Sequence, residues 1–311
     1  MATNTVSQVV PSPAEDAAAL LKAFQGWGTD EQAVIAILAH RDAAQRKQIM
    51  VEYEEMYKES LIQRLQSELS GDFERAMCQW VLDPVERQAT MANAATKCIQ
   101  EEYPVIVEIA CANSSAELIA VKKAYHALYK CSLEEDVAAR ATGNLRCLLL
   151  AYRYDGDDVD MELARSEAKI VHEAVRNGTM DHQELIRIVG TRSRAQLNAT
   201  FSCFKDENGG TSITKALAHG ADPTGYLRAL RAAVRCIGDS NKYFAKVLRN
   251  ATRESGTDED SLTRVVVMHA EKDMKGISGA FLKRSSVTLE EAITKETSGD
   301  YRSFLMALLG S

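Results

Sequence analysis

One short phrase occurs four times along this chain: Ser70-Gly71-Asp72-Phe73, Thr142-Gly143-Asn144-Leu145, Thr224-Gly225-Tyr226-Leu227 and Ser298-Gly299-Asp300-Tyr301. Its glycines stand 72, 82 and 74 residues apart (71 to 143, 143 to 225, 225 to 299). Self-similarity at a long period means that one supersecondary unit is used repeatedly. Each phrase leads into an apolar stretch with helical spacing: Phe73, Ala76, Met77, Trp80 and Val81 in the first, Tyr301, Phe304, Leu305, Leu308 and Leu309 in the last. Upstream, Ile49, Tyr53, Tyr57, Leu61, Leu65 and Leu69 recur every four residues, with a turn expected between Tyr57 and Ser60. No strand-like alternation of any length competes with this period. The expectation is an all-α chain with a short tail over 1–13 and four repeats of about five helices each, over 14–84, 85–156, 157–238 and 239–311.

Composition limits what such a chain does. The hydrophobic fraction is 46%, charged residues make up 26% and there are only 5 Pro, as in ordinary folded proteins. The formal charge of −7 supplies no positive field for DNA, RNA or anionic lipid, so an anionic partner needs a bridging cation and no nucleic-acid partner is expected. The longest apolar runs, such as Val105 to Ala112 with Glu108 inside it, fall short of a membrane span. Met1 to Pro13 lacks the features of a secretory signal, and residence in the cytosol is expected. Seven cysteines, with no CxxC pair, argue against a disulfide framework or a zinc site; most are expected to be reduced and buried.

The informative segments are Gly26-Trp27-Gly28-Thr29-Asp30 and Glu254-Ser255-Gly256-Thr257-Asp258, each opening a helix. Thr29 with Gln32 fits a capping box, and Asp30 and Glu31 suit the positive end of a helix dipole. Capping does not explain the glycines. Glycines before a helix let successive carbonyl oxygens turn to one side, which suits a hard cation taking six to eight oxygens. A distant carboxylate supplies charge: Glu68 follows Asp30 by 38 residues, Glu296 follows Asp258 by 38, and each lies three residues before a repeated glycine. Repeat two has Arg140 at the acidic place and no glycine around Cys98 to Glu102, and a cation beside Arg140 is unfavourable. Repeat three keeps Asp222, but its loop, Asn177-Gly178-Thr179-Met180-Asp181, has a displaced glycine and an extra residue. Two competent Ca²⁺ sites are therefore expected, in repeats one and four. The acidic segment from Tyr152 to Asp160 reads as a linker and not an EF-hand, because Asp160 and Ser166 occupy the places of the required Gly and Glu.

Four repeats, a GxGTD loop and an acid 38 residues on resemble the annexin family over nearly the whole chain. Ile35 to Arg41, Leu133 to Val137 and Ala292 to Tyr301 are similar to plant annexins. The resemblance implies a slightly curved disc with calcium loops on its convex face. Transferred by position, the repeat-one ligands are the carbonyls of Phe24, Gly26 and Gly28 with the Glu68 carboxylate; those of repeat four are Thr252, Glu254, Gly256 and Glu296. Glu254 stands where the family has a glycine, which ranks repeat one above repeat four. The open coordination places would take water or a lipid phosphoryl oxygen, giving weak affinity without membrane, in the range of about 10⁻⁵ to 10⁻³ M, and reciprocal coupling of calcium with lipid. The implied function is Ca²⁺-dependent attachment to acidic phospholipid membranes, with Trp27 settling among headgroups; oligomerisation on the membrane stays open.

Plant annexins are also linked to peroxidase-like activity, nucleotide hydrolysis and actin binding. His40 matches the histidine of the first, yet a lone His is a weak haem signal and a structural role is preferred. Asp206 to Gly209 and Asp273 to Gly276 fit DxxG, but no GxxxxGK[ST] loop accompanies them. Ile186-Arg187-Ile188 matches the actin tripeptide, although at helical spacing Ile186 and Val189 are expected to face the core. Cys111 and Cys236 correspond to a proposed redox pair; buried thiols are the preferred reading. Between Gly143 and Tyr152 the chain is about a helical turn shorter than the family pattern, and Asn113 and His269 replace the arginines found at positions 41 and 192.

Overall fold

The computed structural model describes residues 1–6, 10–26, 28–98, 103–141, 143, 146–147, 154–179, 183–218, 225–253 and 256–311. Among them every regular element is a helix. Repeat one contains α1 (Pro13–Ala23), α2 (Glu31–Leu38), α3 (Ala43–Tyr57), α4 (Leu61–Glu68) and α5 (Gly71–Val81). Repeat two contributes α6 (Pro84–Lys97), α7 (Tyr103–Ala112), α8 (Ser115–Tyr129) and α9 (Leu133–Arg140). Repeat three follows with α10 (Met161–Asn177), α11 (Gln183–Thr191), α12 (Arg194–Glu207), α13 (Ile213–Ala216) and α14 (Tyr226–Gly238). Repeat four has α15 (Ser240–Ala251), α16 (Glu259–His269), α17 (Met274–Ser285), α18 (Leu289–Glu296) and α19 (Gly299–Leu309). The expected break after Tyr57 is present, and the shortened segment after Gly143 lies mostly outside the described residues.

Local sequence explains these boundaries. Reciprocal capping boxes start α1 (Ser12 with Glu15), α3 (Asp42 with Gln45), α8 (Ser114 with Glu117), α9 (Ser132 with Glu135) and α18 (Thr288 with Glu291). The repeated glycine has one physical cause. Gly71, Gly143, Gly225 and Gly299 have φ of 62, 56, 71 and 59°, the left-handed region where a Cβ is costly.

The chain forms two compact units: Met1–Arg87 with Phe244–Ser311, and Gln88–Tyr243. In the first, α5 packs against α16 and α19, and α2 against α19, so the first and last quarters of the sequence share a core. Trp80, fully buried, donates to the Leu38 carbonyl at 2.8 Å, and the Arg46 guanidinium stacks 3.8 Å from its ring centroid. Arg46, also fully buried, makes a bidentate pair with Glu271. Arg87 donates to the carbonyls of Gln79, Trp80, Leu82 and Val267. The amino terminus joins this unit: Thr3 N–H donates to the Ala270 carbonyl, and its hydroxyl to that of Leu308. In the second unit α7 packs on α14, α10 on α12 and α12 on α14. Buried Glu108 accepts from the Tyr243 hydroxyl there at 2.8 Å.

One junction recurs in all four repeats, between positions 25 residues apart. Repeat one places Arg41 on Asp16, with Nε–Oδ2 at 2.6 Å and Nη2–Oδ1 at 2.7 Å. Repeat two places Asn113 on Gln88 at 2.5 Å, and repeat three places Arg192 on Glu167 at 2.7 Å. Repeat four stacks His269 on Phe244 with centroids 4.1 Å apart, and His269 donates to Asp273 at 2.6 Å. Burial raises the Asp273 carboxyl, but the His269 hydrogen bond and charge, with Lys272 and the amino terminus, outweigh it and hold its pKa below the usual carboxylate value. The first junction buries both charges, so removing one strands the other. Asp16→Ala is expected to cost roughly 3 to 5 kcal/mol, whereas Gln88→Ala, which breaks a neutral amide pair, is expected to cost about 1 kcal/mol. Urea-unfolding midpoints of the two variants check this contrast.

Candidate metal centre

The repeat-one loop begins at Phe24, which ends α1 with its N–H on the Leu20, Leu21 and Lys22 carbonyls. Its ring is buried, edge-on to Tyr53 at 6.4 Å. Gly26 and Gly28 follow with φ of 127 and 107°, and nothing lies within 4 Å of a Cβ built on either. Glycine is thus required by backbone conformation and not by lack of space. The loop closes where Asp30 N–H donates to the Ala23 carbonyl at 2.8 Å. The Asp30 carboxylate then caps α2 by accepting from Ala33 N–H at 3.0 Å.

Repeat four builds the same clasp. Asp258 N–H donates to the Ala251 carbonyl at 2.9 Å, its carboxylate caps α16 through Ser261 N–H at 3.0 Å, and Gly256 has φ of 119°. Thr252 ends the preceding helix, with N–H and hydroxyl both on the Leu248 carbonyl. Trp27 and Glu254 lie outside the described residues, so the placement of Trp27 and the backbone at Glu254 are not part of this geometry.

The expected capping box of Thr29 with Gln32 is not formed. Asp30 is the cap, Gln32 donates to Asp300, and the Thr29 hydroxyl donates to Glu68 Oε2 at 2.7 Å. Threonine therefore ties the loop to the end of α4, where Glu68 sits. Glu68 Oε1 meets Arg64 Nη2 at 3.1 Å, and the same Nη2 is 3.4 Å from the Phe24 carbonyl oxygen. One guanidinium thus joins two of the four expected ligands. Sequence reading missed Arg64, although an arginine four residues before a glutamate on one helix shares its face. In repeat four the corresponding residue is Ala292, and Thr257 donates to the main-chain carbonyl of Glu296 at 3.1 Å, leaving Lys295 as the cation near the Glu296 carboxylate, at 3.6 Å.

The donor chemistry fits a hard cation: carbonyl oxygens on a positive-φ loop, with one carboxylate held against that loop by a hydroxyl. Among the described residues no three His, Cys, Asp or Glu side chains converge on a metal position, so any such site must draw mainly on backbone oxygens. Repeat two supplies the contrast. Arg140, at the acidic place, reaches the Cys98 carbonyl oxygen at 3.4 Å, so a fixed positive charge sits on the loop. The repeat-three residues Met180, Asp181 and Asp222 lie outside the described set.

Other candidate residues have structural partners. His40 donates from Nδ1 to the Thr5 carbonyl at 2.9 Å, holding the amino-terminal strand of chain. Ile186, Ile188 and Val189 are all buried. Cys111 and Cys236 are buried free thiols, as expected. The wider expectation about cysteines needs correcting: besides these two only Cys203 is buried, Cys78 and Cys131 are half-buried, and Cys98 and Cys147 are exposed. Burial pushes the Cys78 thiol up to about 12, and the hydrogen bond to Asp136 raises Cys131, so neither is a thiolate at neutral pH. Asp155 accepts from Ser115 N–H and Asp160 caps α10, which accounts for two of the linker acids.

The annexin family model matches residues 15–80, 87–152, 166–230 and 243–308, which is most of the chain in four copies. The chain belongs to the annexin family. The annexin-like protein RJ4 of Fragaria ananassa is 50% identical over 300 residues, covering 95% of each chain. Among solved structures, annexin III superposes with a TM-score of 0.92 at 31% identity, over 100% of this chain and 97% of that one. A calcium-bound annexin, annexin (Sm)1, superposes with a TM-score of 0.81 at 27% identity, over 100% and 93% of the two chains. The four-repeat helical architecture expected from the recurring glycine phrase is therefore established, and no helix among the described residues is long and apolar enough to cross a membrane.

Proposed function

We propose that this annexin attaches to acidic phospholipid surfaces through Ca²⁺ held in repeats one and four. Membership of the annexin family supports calcium-dependent phospholipid binding in general. What points to these two repeats is the duplicated clasp, in which an aspartate closes a positive-φ glycine loop beside a distant glutamate. In repeat one the ion is taken by the carbonyl oxygens of Phe24, Gly26 and Gly28 with the Glu68 carboxylate; in repeat four by those of Thr252, Glu254 and Gly256 with the Glu296 carboxylate. Four protein groups leave places in a six- to eight-oxygen shell, which a lipid phosphoryl oxygen completes. The low ligand charge keeps the ion weakly held until lipid arrives, so each ligand strengthens the other by the same factor.

Arg64 alters the ranking of the two sites. A cation entering among the Phe24 and Glu68 oxygens meets a guanidinium already bonded to both, and like charges so close are unfavourable. Repeat four has no such competitor at Ala292, which offsets its loss of a glycine at Glu254.

Cosedimentation with phosphatidylserine vesicles is the direct test. Wild type is expected to pellet far more with calcium than in chelator, and Glu68→Gln with Glu296→Gln is expected to pellet no more with calcium than in chelator. Equal pelleting of wild type under the two conditions, or calcium-dependent pelleting of the double variant, would remove the bridging mechanism. In a Glu296→Gln background that leaves only repeat one, Arg64→Ala is expected to tighten Ca²⁺ binding by about two- to fivefold, the size of a partly exposed charge interaction, in a calorimetric titration; unchanged or weaker binding would show that Arg64 does not compete.

A further inference from the structure

Repeat four contains a cavity of about 720 Å³ that reaches from its loop to the far end of α17, and Thr252 and Glu296 are part of its wall. That volume falls in the range of small-ligand sites. Subtracting 228 from each residue number (258 to 30) gives the matching position in repeat one, and the two repeats differ there in two ways. The first is space. Phe24, Tyr57 and Arg64 of repeat one become Thr252, Ser285 and Ala292. In repeat one the Phe24, Tyr53 and Tyr57 rings meet edge-on in succession at 6.4 and 4.9 Å, with Arg64 against Phe24; repeat four keeps a ring at the Tyr53 place, Phe281, and replaces the other three side chains by small ones.

The second difference is charge. Arg249, Arg253 and Lys295 line the cavity where repeat one has Leu21, Gln25 and Ser67. The side chains of Arg249 and Arg253 make no hydrogen bond or ion pair with other described residues. The two acids in the wall are already committed: Glu291 accepts from Thr288 N–H at 2.8 Å in a capping box, and Glu296 belongs to the proposed calcium set. Phe281 and Val287 add apolar surface to the same wall. Cations and hydrocarbon in the wall of one cavity are complementary to an anionic amphiphile.

We propose that this cavity is a second anion site, which takes the phosphoryl headgroup of an acidic phospholipid directly on Arg249, Arg253 and Lys295, with the glycerol and first acyl carbons against Phe281 and Val287. It adds a contact that needs no metal ion to the calcium bridge of the preceding reading, and it makes repeat four different in kind from repeat one.

The test uses the full chain in chelator, where the calcium bridge is absent and its failure has no effect. Dibutyryl-phosphatidylserine, below its aggregation limit, is titrated and followed by two-dimensional NMR and calorimetry, with inorganic phosphate as a second probe. The expected result is one saturable site for the short lipid, at least tenfold tighter than phosphate. Arg249→Ala with Arg253→Ala is expected to weaken it tenfold or more. Thr252→Phe with Ala292→Arg, which imports the repeat-one side chains, is expected to abolish it while the thermal midpoint stays within a few degrees. Binding that survives both double variants would overturn the proposal, as would absence of saturable binding to wild type. Phosphate binding as tightly as the lipid would also overturn it, by showing a simple anion site with no use for the apolar wall.

Discussion

A single backbone hydrogen bond, made twice, organises the ends of this molecule. Asp30 N–H returns to Ala23 and Asp258 N–H returns to Ala251, each binding the start of one helix to the end of the preceding one. The same aspartate caps the new helix with its side chain, so one residue satisfies an orphan N–H and fixes the entry angle of the chain. Between them Gly26, Gly28 and Gly256 take φ above 100°, outside the helical range, so the joining segment leaves the helical hydrogen-bond pattern. The proposed calcium loops are therefore part of how the helices are joined.

The four repeats hold one geometry with different chemistry, as the junction across 25 residues shows. An ion pair, an amide pair, a second ion pair and a histidine stacked on phenylalanine occupy equivalent places. All four bridge the first and second helices of a repeat with different chemistry. Charged pairs depend on both partners because burial makes a lone ion costly, while the amide and aromatic versions tolerate loss better. Conservation of shape with freedom of chemistry is what packing of small units permits, since a neighbour sees volume and direction more than atom type.

Much of this was legible in the sequence, for identifiable reasons. The Gly71, Gly143, Gly225 and Gly299 phrase marks a backbone requirement that no other residue meets cheaply, so it survives divergence and announces the repeat. The spacing of Asp30 to Glu68 and of Asp258 to Glu296 is legible because three helices, α2 to α4 and α16 to α18, fill the same span in both repeats. Thr29 was misread because capping rules consider only near neighbours, and its partner Glu68 lies 39 residues away. Burial of Cys98 and Cys147 was overestimated by residue type alone, since both are exposed. The repeat-four cavity is invisible to any motif, because it consists of side chains that are missing: Thr252, Ser285 and Ala292 acquire meaning only against the residues that fill repeat one.

That comparison extends to how the repeats treat positive charge. Repeat two places a guanidinium at the acidic position, where Arg140 leans on the Cys98 carbonyl. Repeat one keeps the acid but sets Arg64 across it and the Phe24 carbonyl. Repeat four clears the arginine from the helix and carries its cations around the adjoining cavity instead, at Arg249, Arg253 and Lys295. The oxygen-rich loops attract any cation, and a tethered guanidinium is always present at high effective concentration. On the proposed reading Arg64 competes with a metal ion in repeat one, whereas in repeat four Arg249 and Arg253 line the neighbouring wall and Lys295 stays 3.6 Å from the Glu296 carboxylate, so the same kind of charge meets the loop oxygens in one repeat and an incoming anion in the other.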